Sequence, residues 1–481
     1  MSTLDRRSFI AGSALVTGGA FTVGSTLLQT LTSAADATPP RPGNRDRGRQ
    51  GRAGYGQLSR AADQNGDQIL ALPAGFEYVT FSKIGDTMSD GTPVPRAHDG
   101  MAAFRARRGQ TLLIRNHEVR TAPGTVPGSV QGPTELRYDP LGVGGTTSLL
   151  FDTRRGELVR DWVSFSGSIV NCAGGIALHE AGWITSEETV IGPNQGFAEK
   201  HGYNFLVPAT TDGPVAAVPL AAMGRFAHEA IAVDPRTGYV YETEDSGNDS
   251  GFYRFRPGDK RDLTQGGTLE MLAIAGQDGY SALTGQTVGA SLPVRWVIID
   301  NPDPDLEADP TAEVAREGVA KGAAMFNRLE GIWYDPSTKG LFFASTSGGD
   351  AGYGQIWHYS PRTEQLTLFF ESPGGSVLDS PDNLLVTPRG GILLCEDDAS
   401  GADDDTHPLA PGVTDVNRLI GLSRRGDAFE FAVNVLNDAE FAGACFSHDG
   451  STLFVNIFGD GDIPGTGMTC AITGPWHRGA L

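Results

Sequence analysis

Lysine, cysteine and long apolar runs are all scarce in this chain of 481 residues, and each scarcity excludes a class of protein. Basic residues number 37 against 58 acidic ones, so the formal net charge is −21. A surface this acidic repels phosphate backbones, which argues against nucleic acid as a partner. Beyond the N-terminal region no apolar stretch is long enough to cross a bilayer, so no stable membrane anchor is expected.

Familiar catalytic motifs are missing as well. The sequence has no G-x-S-x-G, no phosphate-binding P-loop, no HExxH and no CxxC pair. Its four cysteines are too few and too scattered for a disulfide framework. Cys395 and Cys445 lie in apolar, strand-like runs and are predicted to be buried thiols. Cys172 differs, because the surrounding Asn-Cys-Ala-Gly-Gly has the composition of a loop.

The N-terminal segment is predicted to be a targeting signal. Arg6 and Arg7 form a twin-arginine motif, an apolar Gly/Ala-rich run follows, and Ala35-Asp36-Ala37 offers a cleavage site. We therefore expect residues 1–37 to be a twin-arginine signal peptide that engages the twin-arginine translocation machinery. Residues 38–60 are predicted to be a flexible linker and residues 61–481 the catalytic domain. The mature protein is expected to be secreted or to lie in the periplasm or cell envelope.

A repeated pattern organises the rest of the chain. A short polar group runs into an apolar strand, turns through Gly and returns as a second strand that ends in polar residues. The copies begin near residues 98, 171, 228, 328, 381 and 441. Intervals of this length suit four-stranded blades, so the sequence predicts an all-β fold, a six-bladed β-propeller with inserted loops or a subdomain. The long interval from 245 to 328 is the expected insertion, and it contains a helical candidate near Pro310–Gly322. An array of β-sandwiches is the alternative.

Acidic residues recur at two places in this pattern. One set stands just before the first strand of each copy, and the other stands at the end of the second strand. The first set is Asp99, Cys172, Glu229, Glu330 and Asp382; the second is Glu118, Glu187-Glu188, Glu244-Asp245 and Glu396-Asp397. In a propeller such residues converge at one end of the channel, where their mutual repulsion must be relieved by protons or cations. The alternative is that the second set simply ends in solvent.

The thiol of Cys172 narrows the choice of metal. Calcium prefers oxygen ligands, whereas sulfur suits a transition metal, and iron accepts both thiolate and carboxylate. Arg328 stands two residues before Glu330, where its guanidinium would clamp an oxyanion at the channel mouth. The alternative role for Arg328 is a structural bridge between two carboxylates.

Several phrases resemble the PhoX family of exported alkaline phosphatases. They occur in order from about Asp63 to Trp476. They are Met88-Ser89-Asp90-Gly91-Thr92-Pro93, Ala97-His98-Asp99-Gly100-Met101, Arg115-Asn116-His117-Glu118, Gly144-Gly145-Thr146-Thr147, Asn171-Cys172-Ala173-Gly174-Gly175, Gly224-Arg225-Phe226-Ala227-His228-Glu229, Glu440-Phe441-Ala442-Gly443 and Leu453-Phe454-Val455-Asn456.

The resemblance implies a six-bladed propeller that hydrolyses phosphate esters with two ferric ions, up to three calcium ions and a bridging oxo group. It implies that Arg328 holds phosphate. It also implies a set of iron-side ligands, Cys172, Glu187, Glu229 and Glu330. The recurring carboxylates add three expected metal ligands, Asp99, Glu118 and Glu396.

Two departures from the family pattern border the expected site. Ile176-Ala177-Leu178-His179 replaces the usual Thr-Pro-Trp after the Cys-Ala-Gly-Gly loop, and Arg328-Leu329-Glu330 replaces Arg-Pro-Glu. Neither removes an expected ligand. Two other functions stay open: a calcium-dependent propeller lactonase or esterase, and a calcium-stabilised binding propeller without catalysis. The partners expected are small phosphate esters, and the protein is expected to be a monomer.

Overall fold

The structure is a computed structural model that describes residues 54–107, 109–124, 127–209, 213–398, 406–459 and 465–481. The predicted signal peptide and most of the predicted linker lie outside these ranges. The first strand, Leu58–Ala61, spans the predicted boundary between linker and catalytic domain. Residues from Ala53 to Leu481 group into one compact unit.

The described residues form 26 strands, numbered here in chain order. They are β1 Leu58–Ala61, β2 Leu70–Pro73, β3 Glu77–Phe81, β4 His98–Arg105, β5 Gln110–His117, β6 Gly144–Asp152, β7 Glu157–Ser168, β8 Asn171–Ile176, β9 Gly182–Glu187, β10 Asn204–Pro208, β11 His228–Val233, β12 Val240–Glu244, β13 Phe252–Pro257, β14 Gly267–Ile274, β15 Ser291–Ile298, β16 Leu329–Asp335, β17 Gly340–Ser345, β18 Gln355–Ser360, β19 Gln365–Glu371, β20 Pro381–Val386, β21 Ile392–Glu396, β22 Arg418–Leu422, β23 Ala428–Asn434, β24 Phe441–Phe446, β25 Thr452–Ile457 and β26 Met468–Thr473.

Helical structure is sparse in the described part of the chain. One α-helix, α1, spans Val314–Ala320, where the sequence predicts a helical segment. The short 3-10 turns are Thr134–Leu136, Leu178–Glu180, Pro193–Gln195, Ala221–Met223, Gly247–Asp249, Leu263–Gln265 and Trp476–Arg478. The long interval between residues 245 and 328 also contains β13, β14 and β15. Much of the expected insertion is therefore regular sheet.

The strands pair antiparallel in five hydrogen-bonded sheets. Their orders are β4-β5-β6-β7, β10-β9-β8, β11-β12-β13-β14-β15-β19-β18-β17-β16, β1-β2-β23-β22-β21-β20 and β24-β25-β26-β3. The nine-stranded sheet arises because β15 pairs with β19, which joins two groups at their outer edges. Strand β3 pairs with β26, so an early strand completes the last sheet.

Six inner strands, β4, β8, β11, β16, β20 and β24, contact one another in sequence and return to β4 as a closed ring. These strands begin where the sequence predicts the six copies. The fold is therefore all-β and propeller-like, as predicted, and a linear array of sandwiches does not describe it. The six copies are not six separate sheets, because the β15–β19 pairing merges two of them.

Hydrophobic residues fill the interfaces between neighbouring copies rather than one central core. The inner and middle strands alternate side chains between their two faces, so each sheet presents an apolar surface on both sides. Residue pairs from the two sides of these interfaces are Phe165 with Phe205, Ile184 with Phe255, Phe252 with Phe343, Ile356 with Leu394, Leu393 with Val455 and Phe151 with Phe454. The centre of the ring is thereby left to the polar ends of the inner strands. No helix in the described ranges has the length and apolarity to cross a bilayer.

Candidate metal centre

Each inner strand has the same irregularity at its beginning. Three residue steps along the inner strand match two residue steps along its partner, which is the arrangement of a β-bulge. The register shifts lie between His98 and Met101, Asn171 and Gly174, His228 and Ile231, Leu329 and Ile332, Pro381 and Leu384, and Ala442 and Cys445. A bulge redirects the side chain of its extra residue, so each of these bulges turns any side chain at that position away from the regular pleat.

The first residue inside the bulge is a candidate metal ligand in five of the six copies. In five copies it is Asp99, Cys172, Glu229, Glu330 or Asp382, which are all buried. In the sixth copy the corresponding residue is Gly443, whose φ of +60° is the left-handed conformation that favours glycine. A Cβ atom at Gly443 would lie 2.3 Å from the Asp99 carbonyl oxygen. The sixth bulge thus leaves room for its neighbour instead of contributing a ligand.

A repeated backbone hydrogen bond places the second acidic set beside the first. In every copy the residue that follows the second strand donates its N–H to the carbonyl of the residue that precedes the inner strand. The pairs are Glu118 to Ala97, Glu188 to Val170, Asp245 to Ala227, Thr346 to Arg328, Asp397 to Ser380 and Phe458 to Glu440. The distances run from 2.9 Å to 3.2 Å.

Members of these two sets, together with Glu440, meet in one continuous group, which we call the carboxylate cluster. Its members form four overlapping triads whose ligand atoms lie within 4.8 Å of one another. The triads are Asp99–Glu118–Cys172, Cys172–Glu188–Glu229, Glu229–Glu330–Asp382 and Asp382–Asp397–Glu440. Because each triad shares a residue with the next, the cluster offers adjacent positions for more than one cation.

Glu229 gives the clearest sign that a cation belongs in the cluster. Its side chain is fully buried, and neither carboxylate oxygen has a hydrogen-bond partner among the described residues. A buried carboxylate without a partner costs several kcal/mol unless it is protonated or bound to a cation. In the protein without metal, burial and the neighbouring carboxylate of Glu330 raise the pKa of Glu229 well above its usual value.

Burial raises the pKa values of three other cluster members as well. Burial and then the nearby charge of Asp99 raise the pKa of the Cys172 thiol well above its usual value. Burial also raises the pKa of Glu188, against the opposing effect of Arg120. Burial and Asp245 raise the pKa of Glu330. A bound divalent or trivalent cation would lower these pKa values, because it favours the ionised form of every ligand.

Two arginines contact the cluster at its edge. Arg328 donates from Nη2 to Asp245 Oδ2 at 2.8 Å and to Glu330 Oε1 at 2.9 Å. Arg120 donates from Nη2 to Glu118 Oε1 and to Glu188 Oε2. About 25% of each arginine side chain stays exposed. Each guanidinium therefore bridges two carboxylates and still reaches solvent.

Comparison with known proteins agrees with this geometry. A family model described as "Alkaline phosphatase PhoX" matches residues 54–461. The chain belongs to the PhoX family. Its fold is similar to that of a solved structure, Pseudomonas fluorescens PhoX in complex with vanadate, a transition state analogue. The TM-score is 0.64, and the identity is 18% over 89% of this chain and 99% of that chain.

Other solved structures resemble the PhoX-family chain more weakly. A protein of unknown function from Dyadobacter fermentans has a TM-score of 0.45 and 10% identity over 84% of this chain and 100% of that one. A gluconolactonase from Xanthomonas campestris has a TM-score of 0.37 and 10% identity over 88% and 98% of the two chains. No curated protein sequence matches the chain significantly.

Five of the seven ligands expected from sequence meet in the cluster of this PhoX-family protein: Asp99, Glu118, Cys172, Glu229 and Glu330. Glu187 lies elsewhere. It accepts hydrogen bonds from His201 Nδ1 at 2.7 Å and from the backbone N–H groups of Ile169, Gly202 and Tyr203. With both oxygens engaged in this way, Glu187 anchors its own sheet, and Glu188 faces the cluster.

Glu396 is the second expected ligand that the structure keeps apart from the cluster. Arg418 donates to both of its oxygens at 2.7 Å, and the Asp379 N–H donates to Oε1 at 2.8 Å. Burial, opposed by Arg418, raises the pKa of Glu396 to about 7. Its neighbour Asp397 joins the cluster instead.

Arg328, expected to hold phosphate, makes the contacts of its alternative role, a bridge between two carboxylates. It bridges Asp245 and Glu330, and it remains partly accessible at the cluster edge. Sequence reasoning did not single out Glu440 or Arg120 as site residues. Glu440 occupies in its copy the place of Arg328, before the inner strand. Arg120 follows the Arg-Asn-His-Glu phrase by two residues, and that spacing alone carried no signal.

Proposed function

We propose that this chain, a metal-dependent phosphatase by family, hydrolyses small phosphate monoesters at a mixed iron and calcium centre held by the carboxylate cluster. The observation that carries the proposal is a buried thiol that shares two overlapping triads with carboxylates, one of which, Glu229, has no partner for either oxygen. Thiolate with carboxylate suits iron, and the oxygen-only triads suit calcium.

The residues divide by whether their triad contains the thiol. Cys172 shares triads with Asp99, Glu118, Glu188 and Glu229, and this group would hold a pair of ferric ions and their bridging oxo group. The two triads without sulfur add Glu330, Asp382, Asp397 and Glu440, which would hold up to three calcium ions. Glu330, which the family resemblance implies as an iron-side ligand, is thereby assigned to calcium. When bound, such a centre withdraws charge from the phosphoryl group and furnishes an attacking oxygen at moderate pH.

The side chains of the chain itself supply binding and orientation. Arg328 would bind a non-bridging oxygen of the phosphoryl group, because a planar guanidinium matches phosphate geometry and stays charged. Asp245 holds that guanidinium in place through Nε at 3.1 Å and Nη2 at 2.8 Å. The buried inner strands behind the cluster keep the site rigid, so little reorganisation is needed when charge develops.

The fold supports a six-bladed reading of the propeller. Six inner strands, six bulges and six equivalent backbone hydrogen bonds repeat around one ring, and an apolar interface separates each neighbouring pair of copies. We therefore count β11–β14 and β16–β19 as two blades whose outer strands are bridged through β15.

Export by the twin-arginine route and a monomeric state complete the proposal. The exported character of the family supports the proposed export.

Metal analysis of the folded protein together with turnover of p-nitrophenyl phosphate tests this function. The proposal expects both iron and calcium in the active protein. Calcium without iron, with lactone or ester hydrolysis, would favour the lactonase alternative; no catalytic metal and no turnover would favour a binding propeller. Glu229→Gln should lose metal and turnover together, whereas Arg295→Gln, a surface arginine paired with Asp278, should lose neither.

A further inference from the structure

Arg120 stands opposite Arg328 across a row of carboxylates. Glu188 lies within hydrogen-bonding reach of both Glu118 and Asp245, so the three side chains form a continuous line. Arg120 binds one end of that line, at Glu118 and Glu188. Arg328 binds the other end, at Asp245.

The two arginines make the same kind of contact. Each uses one Nη2 atom to bridge two carboxylates that come from different elements of the chain. Each side chain is about 25% exposed, whereas the carboxylates they contact are at most 10% exposed. The guanidinium groups are therefore the outermost layer over this part of the cluster.

From this arrangement we infer that Arg120 is a second phosphate-binding residue, which acts with Arg328 as a two-armed clamp over the cluster. The inference rests on the proposed function. A phosphoryl group spreads its charge over three non-bridging oxygens, so two guanidiniums approaching from separate sides stabilise it better than one. On the proposed function the cluster binds cations, and both arginines contact its carboxylates.

The alternative for Arg120 is a purely structural tie between Glu118 and Glu188. The two roles predict different effects when the Arg120 side chain is removed. Loss of a tie leaves repelling carboxylates and lowers metal content and stability. Loss of a clamp leaves the metals in place and weakens the binding of phosphate.

The experiment uses full-length, metal-replete protein and inorganic phosphate as the probe. For Arg120→Ala we expect iron and calcium content at the wild-type level and competitive inhibition by phosphate weakened about 10- to 100-fold, the usual effect of losing one charge-assisted hydrogen bond. Arg120→Lys should keep the wild-type metal content and recover only part of the phosphate affinity, because an ammonium cannot form the planar two-point contact. Arg295→Gln is the matched control and should change nothing.

Three outcomes separate the possibilities. If Arg120→Ala loses metal in proportion to activity, or keeps the wild-type inhibition constant for phosphate, Arg120 is not part of a clamp and the inference is overturned. If wild-type protein neither turns over phosphate esters nor is inhibited by phosphate, the proposed function fails instead. If Arg120→Ala and Arg328→Ala each weaken phosphate inhibition while both keep their metals, the two-armed clamp is established.

Discussion

Glu187 and Glu188 are adjacent in the chain, yet Glu187 is hydrogen-bonded within its own sheet and Glu188 lies in the cluster. Adjacent side chains on a strand point to opposite faces, so the last strand residue and the next one cannot share a role. The same choice recurs at Glu396 and Asp397, where the first is tied to Arg418 and the second lies in the cluster. In both pairs the first residue is bound within its own sheet and the second lies in the cluster.

Substitution within this pair tests the division. Glu188→Gln should lose bound metal and most activity, because a cluster oxygen becomes a neutral amide. Glu187→Gln should keep its metal but lose roughly 1–3 kcal/mol of stability, since the carboxylate accepts four buried hydrogen bonds. Metal content and thermal melting of the two proteins provide the measurement. Equal metal loss in both would refute the assignment.

Cys172 carries the prediction that depends on iron. A ferric–thiolate bond gives a visible charge-transfer absorption, so the purified protein should be coloured. Cys172→Ser is expected to lose the absorption band and most of the activity. Cys445→Ser provides the control, because Cys445 is buried in the interface between neighbouring sheets and outside the cluster. A colourless, iron-free wild type with full activity would contradict this prediction.

At the scale of the element, the bulge is the device that aims the ligands. It appears in all six inner strands at one height, yet a ligand atom appears in only five. Gly443 in the sixth packs against the backbone of Asp99 and Met101, and Asn456 donates to the Asp99 carbonyl at 2.6 Å. The sixth inner strand therefore supports the Asp99 bulge of its neighbour.

Gly443→Ala should disturb that support. Its Cβ would lie 2.3 Å from the Asp99 carbonyl and 2.8 Å from the Met101 nitrogen, so the two strands must move apart. Gly91→Ala is the matched control, since Gly91 has φ of +87° and no atom near its Cβ position. The control should lose roughly 1–2 kcal/mol from backbone strain alone. Gly443→Ala should lose more and should also bind less metal; similar melting curves for both would contradict this role.

The sequence predicted the elements of this fold better than the orientation of its side chains. The starts of all six inner strands and the first acidic set were visible as recurring phrases, and the helix near residue 314 was visible as a separate helical segment. The choice between Glu187 and Glu188 was not, because it depends on the register at which the second strand ends. The β15–β19 bridge and the position of Arg120 depend on contacts between distant segments, which no local pattern encodes.

For the whole molecule, we expect the excess of acidic residues to make stability depend on bound cations. Calcium-specific chelation should lower the melting temperature and abolish activity, because the ionised carboxylates around Glu330 and Asp382 would then repel one another. Restoring Ca²⁺ should recover both. Differential scanning calorimetry with and without chelator measures the effect, and magnesium at the same concentration serves as the control. An unchanged melting temperature would count against calcium in the cluster.

The pairing of β3 with β26 has a consequence for the timing of biosynthesis. The last sheet is complete only when Met468–Thr473 pairs with Glu77–Phe81, almost four hundred residues earlier in the chain. That sheet therefore stays unfinished until the chain has been made as far as Thr473. Because the cluster draws members from Asp99 to Glu440, its candidate ligands converge only once the last inner strand has joined the ring. We therefore expect cations to bind after the six copies have assembled.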